Sequence, residues 1–342
     1  MRTRPVGDTG LRLTELGFGS STLGNLYRAV SDAACQAAVE EAWAAGVRYF
    51  DTAPHYGLGL AERRLGRALA DKPRDEVVVS TKVGRLLVPD PSGAGRRDDE
   101  GFDVPAAWRR VWDFSRDGVR RCLEESLERL GLDSVDIVFL HDPDDHWEQA
   151  AGEGLPALAE LRDEGVVRAI GAGMNQSAML ARFVRETSVD VVMCAGRYTL
   201  LEQGALDDLL PLAVERGVTV IVAGVFNSGL LARPRPGPGA TYDYATAPPD
   251  VVARAQRLAD VCERHGTTLP AAALQFPLAH PAVASVVMAP ADDAQMRANA
   301  AAFSAPVPAS LWEELRAEGL LAPEAPVPAA DGAASPQEGA RR

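Results

Sequence analysis

A (β/α)₈ barrel, a TIM barrel, is the fold this sequence predicts, and three observations predict it. Short runs rich in β-branched or aromatic residues recur along the chain, each followed by loop chemistry. Segments with apolar residues three and four apart fill the gaps between them, the period of a helix burying one face. This alternation, repeated about eight times, favours a closed parallel barrel over a doubly wound sheet. At 342 residues the chain exceeds the roughly 250 of a simple barrel, an excess that insertions readily supply.

The elements follow in order. Arg4 to Leu13, with Asp8-Thr9-Gly10 between short alternating runs, reads as a small hairpin able to plug the barrel floor. Leu16 to Gly19 is the first strand. Helix Asp32 to Ala45 leads to strand Val47 to Phe50, helix Ala61 to Ala70 to strand Glu76 to Thr81, and helix Ser115 to Leu130 to strand Asp136 to Leu140. The second half continues with helix Gly154 to Glu164, strand Val167 to Gly171, a helix from about Ala178 to Glu186 and strand Val189 to Cys194. Helix Leu206 to Arg216, strand Val218 to Val222, helix Asp250 to His265, a shorter helix after Pro270 and closing strand Val283 to Met288 complete the set. Two long loops carry the extra length, Arg85 to Ala106 and Leu231 to Pro249. Residues 1–320 are expected to form one domain. From Ala322 onward, within a segment 321–342, an Ala/Pro/Gly tail is expected to be disordered, because it cannot bury enough surface to offset its chain entropy.

Composition bounds the partners. A formal net charge of -13 argues against nucleic-acid and anionic-membrane surfaces, which need clustered Lys and Arg. No apolar run reaches the roughly 18 residues of a membrane span, and the N-terminus lacks an apolar signal core, so a cytoplasmic location is expected. Cys35, Cys122, Cys194 and Cys262 are isolated and read as small buried apolar residues rather than metal ligands or disulfide partners. A metal-dependent hydrolase would want His-x-His or a carboxylate set on the strand ends, and Leu16 to Ser20 supplies neither.

The chemistry concentrates at strand ends. Asp51, Lys82 and His141 each stand at or just past the end of a separate run, with Tyr56 a few residues beyond the first. In a closed parallel barrel these ends converge on one mouth. A phenol of ordinary pKa near ~10 becomes a usable acid-base group if a nearby ammonium favours its ionised form and a carboxylate holds that ammonium in place. His141 would share the proton or orient the substrate oxygen. Singly, each residue has a plain structural reading: a turn-forming Asp51, a half-buried Tyr56, a solvated Lys82, a capping His141. Jointly they describe a proton shuttle suited to reversible alcohol-carbonyl conversion with hydride passing to or from a cofactor.

The segments Tyr49-Phe50-Asp51-Thr52-Ala53-Pro54-His55-Tyr56-Gly57, Ser80-Thr81-Lys82-Val83-Gly84 and Val135 to His141 resemble the aldo-keto reductase family, and the similarity runs from about Arg4 to Phe303. The resemblance implies a (β/α)₈ barrel binding NAD(P) across its mouth, with Asp51, Tyr56, Lys82 and His141 as catalytic tetrad. Leu23 to Tyr27, Gly173 to Gln176, Ala195 to Gln203 and Asn227 to Leu231 resemble the branch containing L-fucose and D-threo-aldose 1-dehydrogenases and pyridoxal 4-dehydrogenases. Members of that branch oxidise a cyclic hemiacetal to a lactone. An NADPH-dependent carbonyl reductase, a pyridoxal dehydrogenase and, from another class, a non-catalytic cofactor-binding regulatory subunit stand as alternatives.

The resemblance also assigns cofactor contacts: Asn175 at the nicotinamide carboxamide, Asn299 near the adenine, and Ser228, Gly229, Leu231 and Gln295 along the dinucleotide. Met174 replaces a frequent Ser, Ala195 a frequent Gln, and Ala223 the Tyr that usually stacks on the nicotinamide, a role that Phe226 would take in part or leave for core packing. Where many relatives have Gly-Ala-Arg-Ser, this chain has Ala289 to Asp293. The carboxylates of Asp292 and Asp293 would repel a 2′-phosphate and accept from a free ribose hydroxyl, favouring NAD over NADP. Asp292 also suits the N-cap of the following helix, and an inward-pointing Arg297 would restore some phosphate affinity. For the substrate, an aldose or aldehyde, Tyr27 and His55 are the first candidate pocket walls. Trp108 comes next, with Trp112, Phe226, Tyr242 and Tyr244 as further aromatics able to meet a sugar or pyridine ring.

Overall fold

The computed structural model describes residues 1–237 and 239–329. It opens with an antiparallel hairpin of β1 (Thr3–Pro5) and β2 (Arg12–Thr14), with Thr3 opposite Thr14. Parallel strands β3 (Leu16–Gly19), β4 (Tyr49–Asp51) and β5 (Val78–Val83) follow, then a second antiparallel hairpin of β6 (Arg85–Pro89) and β7 (Trp108–Trp112). Strands β8 (Ile137–His141), β9 (Ala169–Met174), β10 (Val191–Ala195) and β11 (Thr219–Ala223) resume the sheet. The two-residue strands β12 (Thr241–Tyr242) and β13 (Ala245–Thr246) form a third hairpin before the last strand, β14 (Val283–Met288). Around the barrel the order is β3-β4-β5-β8-β9-β10-β11-β14, closing back on β3.

Strands of this kind, covered on both faces, need apolar residues at consecutive positions, and β8 with Ile137-Val138-Phe139-Leu140 is buried throughout. Residues facing outward from the strands pack under the helices in the larger core. Inside the barrel, Tyr49, Phe139, Val191 and Ile221 meet Val6, Leu11 and Leu13 of the N-terminal hairpin, which thereby fills the floor. The Gly7 amide donates to Thr219 Oγ1 at 2.9 Å and ties that plug to the rim. Helices begin where a side chain meets their unpaired amides: Ser31 accepts from Ala34, Ser115 from Gly118, Thr268 from Ala271. Helix Arg116–Leu130 ends at Gly131, whose φ of 65° a side chain would resist.

Register positions the site. Gly19 pairs with Asp51, Asp51 with Ser80, Lys82 with Phe139 and His141 with Gly173, so Asp51, Lys82 and His141 occupy the C-terminal ends of adjacent strands β4, β5 and β8.

Three features depart from expectation. The segment expected to be a loop from Arg85 to Ala106 begins with a strand, because Leu86 and Leu87 of β6 bury themselves while β7 pairs along it from Arg85–Trp112 to Pro89–Trp108. A helix, Ala309–Ala317, buries Leu311, Trp312 and Leu315 beyond the last expected element. The tail keeps packing past Ala322: Leu321 and Ala325 are buried, the Ala322 amide donates to Gln203 Oε1 at 2.9 Å, and Arg316 donates to the Ala325 carbonyl at 2.5 Å. The remainder of the tail expectation, residues 330–342, lies outside the described residues.

Candidate active site

Lys82 projects from β5 toward the end of β4, where its ammonium donates to Asp51 Oδ2 at 2.6 Å and to the Thr52 carbonyl at 2.9 Å. The other Asp51 oxygen accepts from Ser80 Oγ at 2.7 Å, and Ser80 is in hydrogen-bond contact with the Tyr49 hydroxyl at 2.9 Å. This chain fixes a buried ion pair. Tyr56 comes from the loop after β4, its ring centre 4.8 Å from the Lys82 ammonium. His141 lies edge-on to Tyr56 with ring centres 5.8 Å apart, and His55 stands 5.4 Å from His141. The loop carrying His55 and Tyr56 is held by close backbone packing: a Cβ on Gly57, at φ 62°, would fall 2.2 Å from the Gly24 oxygen. Arg64, itself buried, donates to the Leu23 carbonyl and Asn25 Oδ1, both at 2.7 Å, and so fixes the facing loop.

Burial opposes charge at every one of these groups, and neighbours decide the outcome. For Lys82, Asp51 and Tyr56 outweigh burial and push the ammonium up to about 12. Burial lifts the Asp51 carboxyl above its ordinary value against the pull of Lys82 and Ser80. For Tyr56, burial wins: Lys82 pulls the phenol down, as the sequence leads one to expect, yet its pKa stays above the usual value. The resting side chain is therefore a neutral phenol beside a fixed cation. Burial, reinforced by Arg85 and Lys82, holds His141 well below its ordinary pKa, and burial with Arg85 and Arg110 does the same for His55. Both imidazoles are neutral at pH 7. The Nδ1 atom of His141 is buried without a hydrogen-bond partner among the described residues.

Asp51, Tyr56, Lys82 and His141 all line one cavity of about 980 Å³. That size sits at the top of the ~300–1,000 Å³ range of ligand sites. The same walls include Asn175, Phe226, Ser228, Gly229, Gln295 and Asn299, together with Tyr27, His55 and Tyr244. Asn227 positions this part of the wall. Its Oδ1 accepts from Thr199 at 2.7 Å and its φ of 46° turns the chain so that Ser228 faces the cavity, where the Ser228 carbonyl accepts from Thr241 at 2.6 Å.

Five candidates fall elsewhere, among them Trp112 and Tyr242, which are not in the cavity wall. Leu231 is buried in the hydrophobic core, and Leu230 lines the cavity in its place. Trp108 is outside the cavity walls because it lies at the distal end of the β6–β7 pairing, opposite Pro89, and is 44% exposed. Asp292 caps helix Asp293–Ser304, accepting from the Gln295 amide at 2.8 Å, and is not part of the cavity wall. Arg297 turns away to Glu41 and Asp293, at 2.9 and 3.2 Å. Sequence reading missed Arg85, Glu100, Phe102 and Asp142, all in the wall. Adjacency to Gly84 and to His141 was the available signal for Arg85 and Asp142; Glu100 and Phe102 carried none.

Residues 15–318 match the model of the Aldo/keto reductase family. The D-threo-aldose 1-dehydrogenase of a Pseudomonas species is 49% identical over 92% of this chain and 96% of its own length. This chain belongs to the aldo/keto reductase family. It is an NAD(P)-dependent oxidoreductase of that family. The pyridoxal 4-dehydrogenase of Microbacterium luteolum is 41% identical over 93% of this chain and 97% of its own. An aldo-keto reductase from Bacillus halodurans, solved in its holo form, superposes with a TM-score of 0.70 and 28% identity, covering 93% of this chain and 96% of that one.

Members of the family use a nicotinamide cofactor, and the cavity suits one. Amide and hydroxyl side chains of Asn175, Ser228, Gln295 and Asn299 are spaced along its wall, and Ser20 Oγ and His141 Nδ1 are buried polar atoms lacking a partner among the described residues. No helix among the described residues is long and apolar enough to cross a membrane, and no group of three His, Cys, Asp or Glu among them could hold a metal ion.

Proposed function

We propose that this reductase-family chain is an NAD-dependent dehydrogenase that oxidises the anomeric carbon of an aldose of L-fucose-like, D-threo configuration to a lactone. The observation that carries the reading is the cluster of Lys82, paired with Asp51 at 2.6 Å, against Tyr56 and His141 in one cavity. Similarity to a D-threo-aldose 1-dehydrogenase supports the substrate class.

When bound, the nicotinamide supplies the hydride acceptor for C1. Asn175 holds its carboxamide side, with Phe226, Ser228, Gly229, Gln295 and Asn299 along the rest of the dinucleotide. Tyr56, ionised to the phenolate that Lys82 stabilises, takes the hydroxyl proton as general base and becomes the neutral phenol, while Asp51 keeps Lys82 charged and fixed. The neutral His141 hydrogen-bonds the reacting oxygen and orients it. Tyr27 and His55 form the sides of the sugar pocket. NAD is the preferred cofactor because Asp292, Asp293 and Glu41 surround the guanidinium groups that would otherwise hold a 2′-phosphate.

The raised Tyr56 pKa favours a second reading, in which the neutral phenol donates a proton and the same residues reduce a carbonyl with NADPH. An NAD-linked absorbance assay over fucose, arabinose, galactose, pyridoxal and simple aldehydes tests both. Turnover of the fucose-like sugar with NAD, abolished in Tyr56→Phe, is the expected result. Turnover of aldehydes alone, with strong preference for NADPH, would replace the first reading by the second. Cofactor binding without turnover across the panel would mark a regulatory subunit.

A further inference from the structure

A second polar cluster lines the cavity next to the Tyr56–His141 pair and has no part in moving the proton. Arg85, whose side chain is only 10% exposed, ion-pairs with Asp142, reaches Glu100 Oε2 at 3.7 Å and contacts His55 Nδ1 at 3.3 Å. Its guanidinium rests on the Trp112 ring, 4.3 Å from the centroid, which fixes its plane. Glu100 lies 3.3 Å from Arg110, and Arg110 is held by Asp98 at 2.5 Å and by the His55 carbonyl at 2.9 Å. Both arginines are thus pinned, while Glu100 and Asp142 keep 45% and 29% of their side-chain surface open.

Asp142 is also unusual in its backbone. Its φ of 45° lies in the left-handed region that non-glycine residues rarely adopt, immediately after His141. That turn brings Asp142 Oδ2 to 3.6 Å from His141 Nε2, so one carboxylate lies beside the residue that faces the reacting oxygen and beside Arg85. Phe102, Tyr27 and Tyr244 contribute aromatic surface to the same cavity. A sugar ring has an apolar face and a rim of hydroxyls, and such a cup offers a surface for each.

We propose that Asp142 and Glu100, held in place by Arg85, accept hydrogen bonds from substrate hydroxyls remote from the oxidised carbon and so select polyhydroxylated substrates over plain aldehydes. This rests on the aldose reading above and names the residues that set its specificity. Carboxylates suit the task because each can accept from two neighbouring hydroxyls, and a site built to bond a hydroxyl rejects the analogue lacking it. Arg85 is a positioning residue: it reaches both carboxylates and aims them.

The test is steady-state kinetics of wild type, Asp142→Asn and Glu100→Gln with an aldose, its singly deoxygenated analogues and a hydroxyl-free aldehyde, alongside NADH fluorescence titration. Glu100 is half-exposed, so its variant serves if Asp142→Asn fails to fold. The expected result is a loss in kcat/KM roughly 10- to 100-fold larger for the aldose than for the hydroxyl-free aldehyde. The variant should add no further loss on the one deoxy analogue that already lacks the bonded hydroxyl. Equal losses on all substrates, or no loss on the aldose, would overturn the inference while leaving the aldose reading intact. Failure of the wild type on every aldose, with aldehydes still reduced, would overturn the aldose reading itself and this inference with it.

Discussion

The Lys82 ammonium, itself buried, lies 4.8 Å from the centre of the partly buried Tyr56 ring. A charge so placed favours the phenolate, yet burial keeps the phenol neutral at rest. Deprotonated Tyr56 is thus the scarce form in the oxidative direction and protonated Tyr56 the abundant one in the reductive direction. Oxidation of an aldose should therefore speed up as pH rises from 7 toward 10, while reduction of an aldehyde should hold level and then fall. Tyr56→Phe should cost roughly 10²- to 10⁴-fold in kcat, with NADH affinity by fluorescence unchanged. A variant that retains wild-type kcat would remove Tyr56 from the chemistry.

Asp51 is the partner that keeps Lys82 charged inside the barrel. Removing one member of a buried pair leaves the other unpaired, a loss of about 3–5 kcal/mol. Asp51→Ala should show that loss in urea denaturation, reduced to the extent that Lys82 gives up its proton. Its activity should collapse together with that of Lys82→Met. Unchanged stability would mean that water replaces the carboxylate.

Three histidines, His141 and His280 buried and His55 partly so, give the fold a defined acid sensitivity. His55 and His141 titrate well below their ordinary value, and burial lowers His280 to about 4. The unfolded chain binds protons at these sites below about 6.5 while the folded chain does not, so stability is fully present above that pH. It is lost as pH falls, for His280 across the window down to about 4, by about 1.4 kcal/mol per pH unit for each histidine. Melting temperature measured from pH 7 to 5 should drop, and His280→Asn should flatten the slope by one proton. A slope unchanged by that substitution would assign the acid sensitivity to other groups.

Period and strand chemistry made the barrel legible, from the hairpin plug at Val6 to Leu13 to the closing strand Val283–Met288. The convergence of Asp51, Lys82 and His141 was also readable, because parallel strands in register must bring their ends together. The Arg85 cluster was not. It depends on how β6 and β7 fold back, and a stretch dense in Arg, Gly and Asp reads as loop until its pairing is known. Likewise Ala325 carries no periodic signal, since a residue this small packs wherever the helix Ala309–Ala317 leaves room. The resting state of Tyr56 was out of reach for another reason: spacing reveals a neighbouring charge but not the depth of burial that opposes it.

The Gly24–Gly57 contact is the mechanical support of Tyr56. At φ 62°, Gly57 occupies a conformation that disfavours a side chain, and its Cβ would meet the Gly24 carbonyl oxygen at 2.2 Å. Gly57→Ala should destabilise the fold by about 1–3 kcal/mol and displace the preceding His55-Tyr56 pair. The checks are thermal unfolding and kcat for the aldose. A kcat loss larger than any change in NADH affinity is expected, and wild-type kinetics would show that the loop adjusts without moving Tyr56.

The proposed preference for NAD makes Asp292 the residue to test. Its Oδ1 caps the Gln295 amide at 2.8 Å and its Oδ2 stands 4.0 Å from Arg28, an otherwise exposed guanidinium near the helix start. A 2′-phosphate entering here would meet a carboxylate that already occupies the helix N-terminus and holds the cation it needs. Asp292→Ser separates the two roles, because serine caps a helix about as well as aspartate but bears no charge. Arg28 and the helix dipole would then both favour an anion. NADP affinity should rise roughly ten-fold, about 1.4 kcal/mol, while NAD affinity changes little and melting temperature holds. Fluorescence titration with NADH and NADPH reads the ratio directly. If that ratio stays fixed while the fold remains intact, Asp292 serves the helix alone, and the proposed preference for NAD loses its support from this residue.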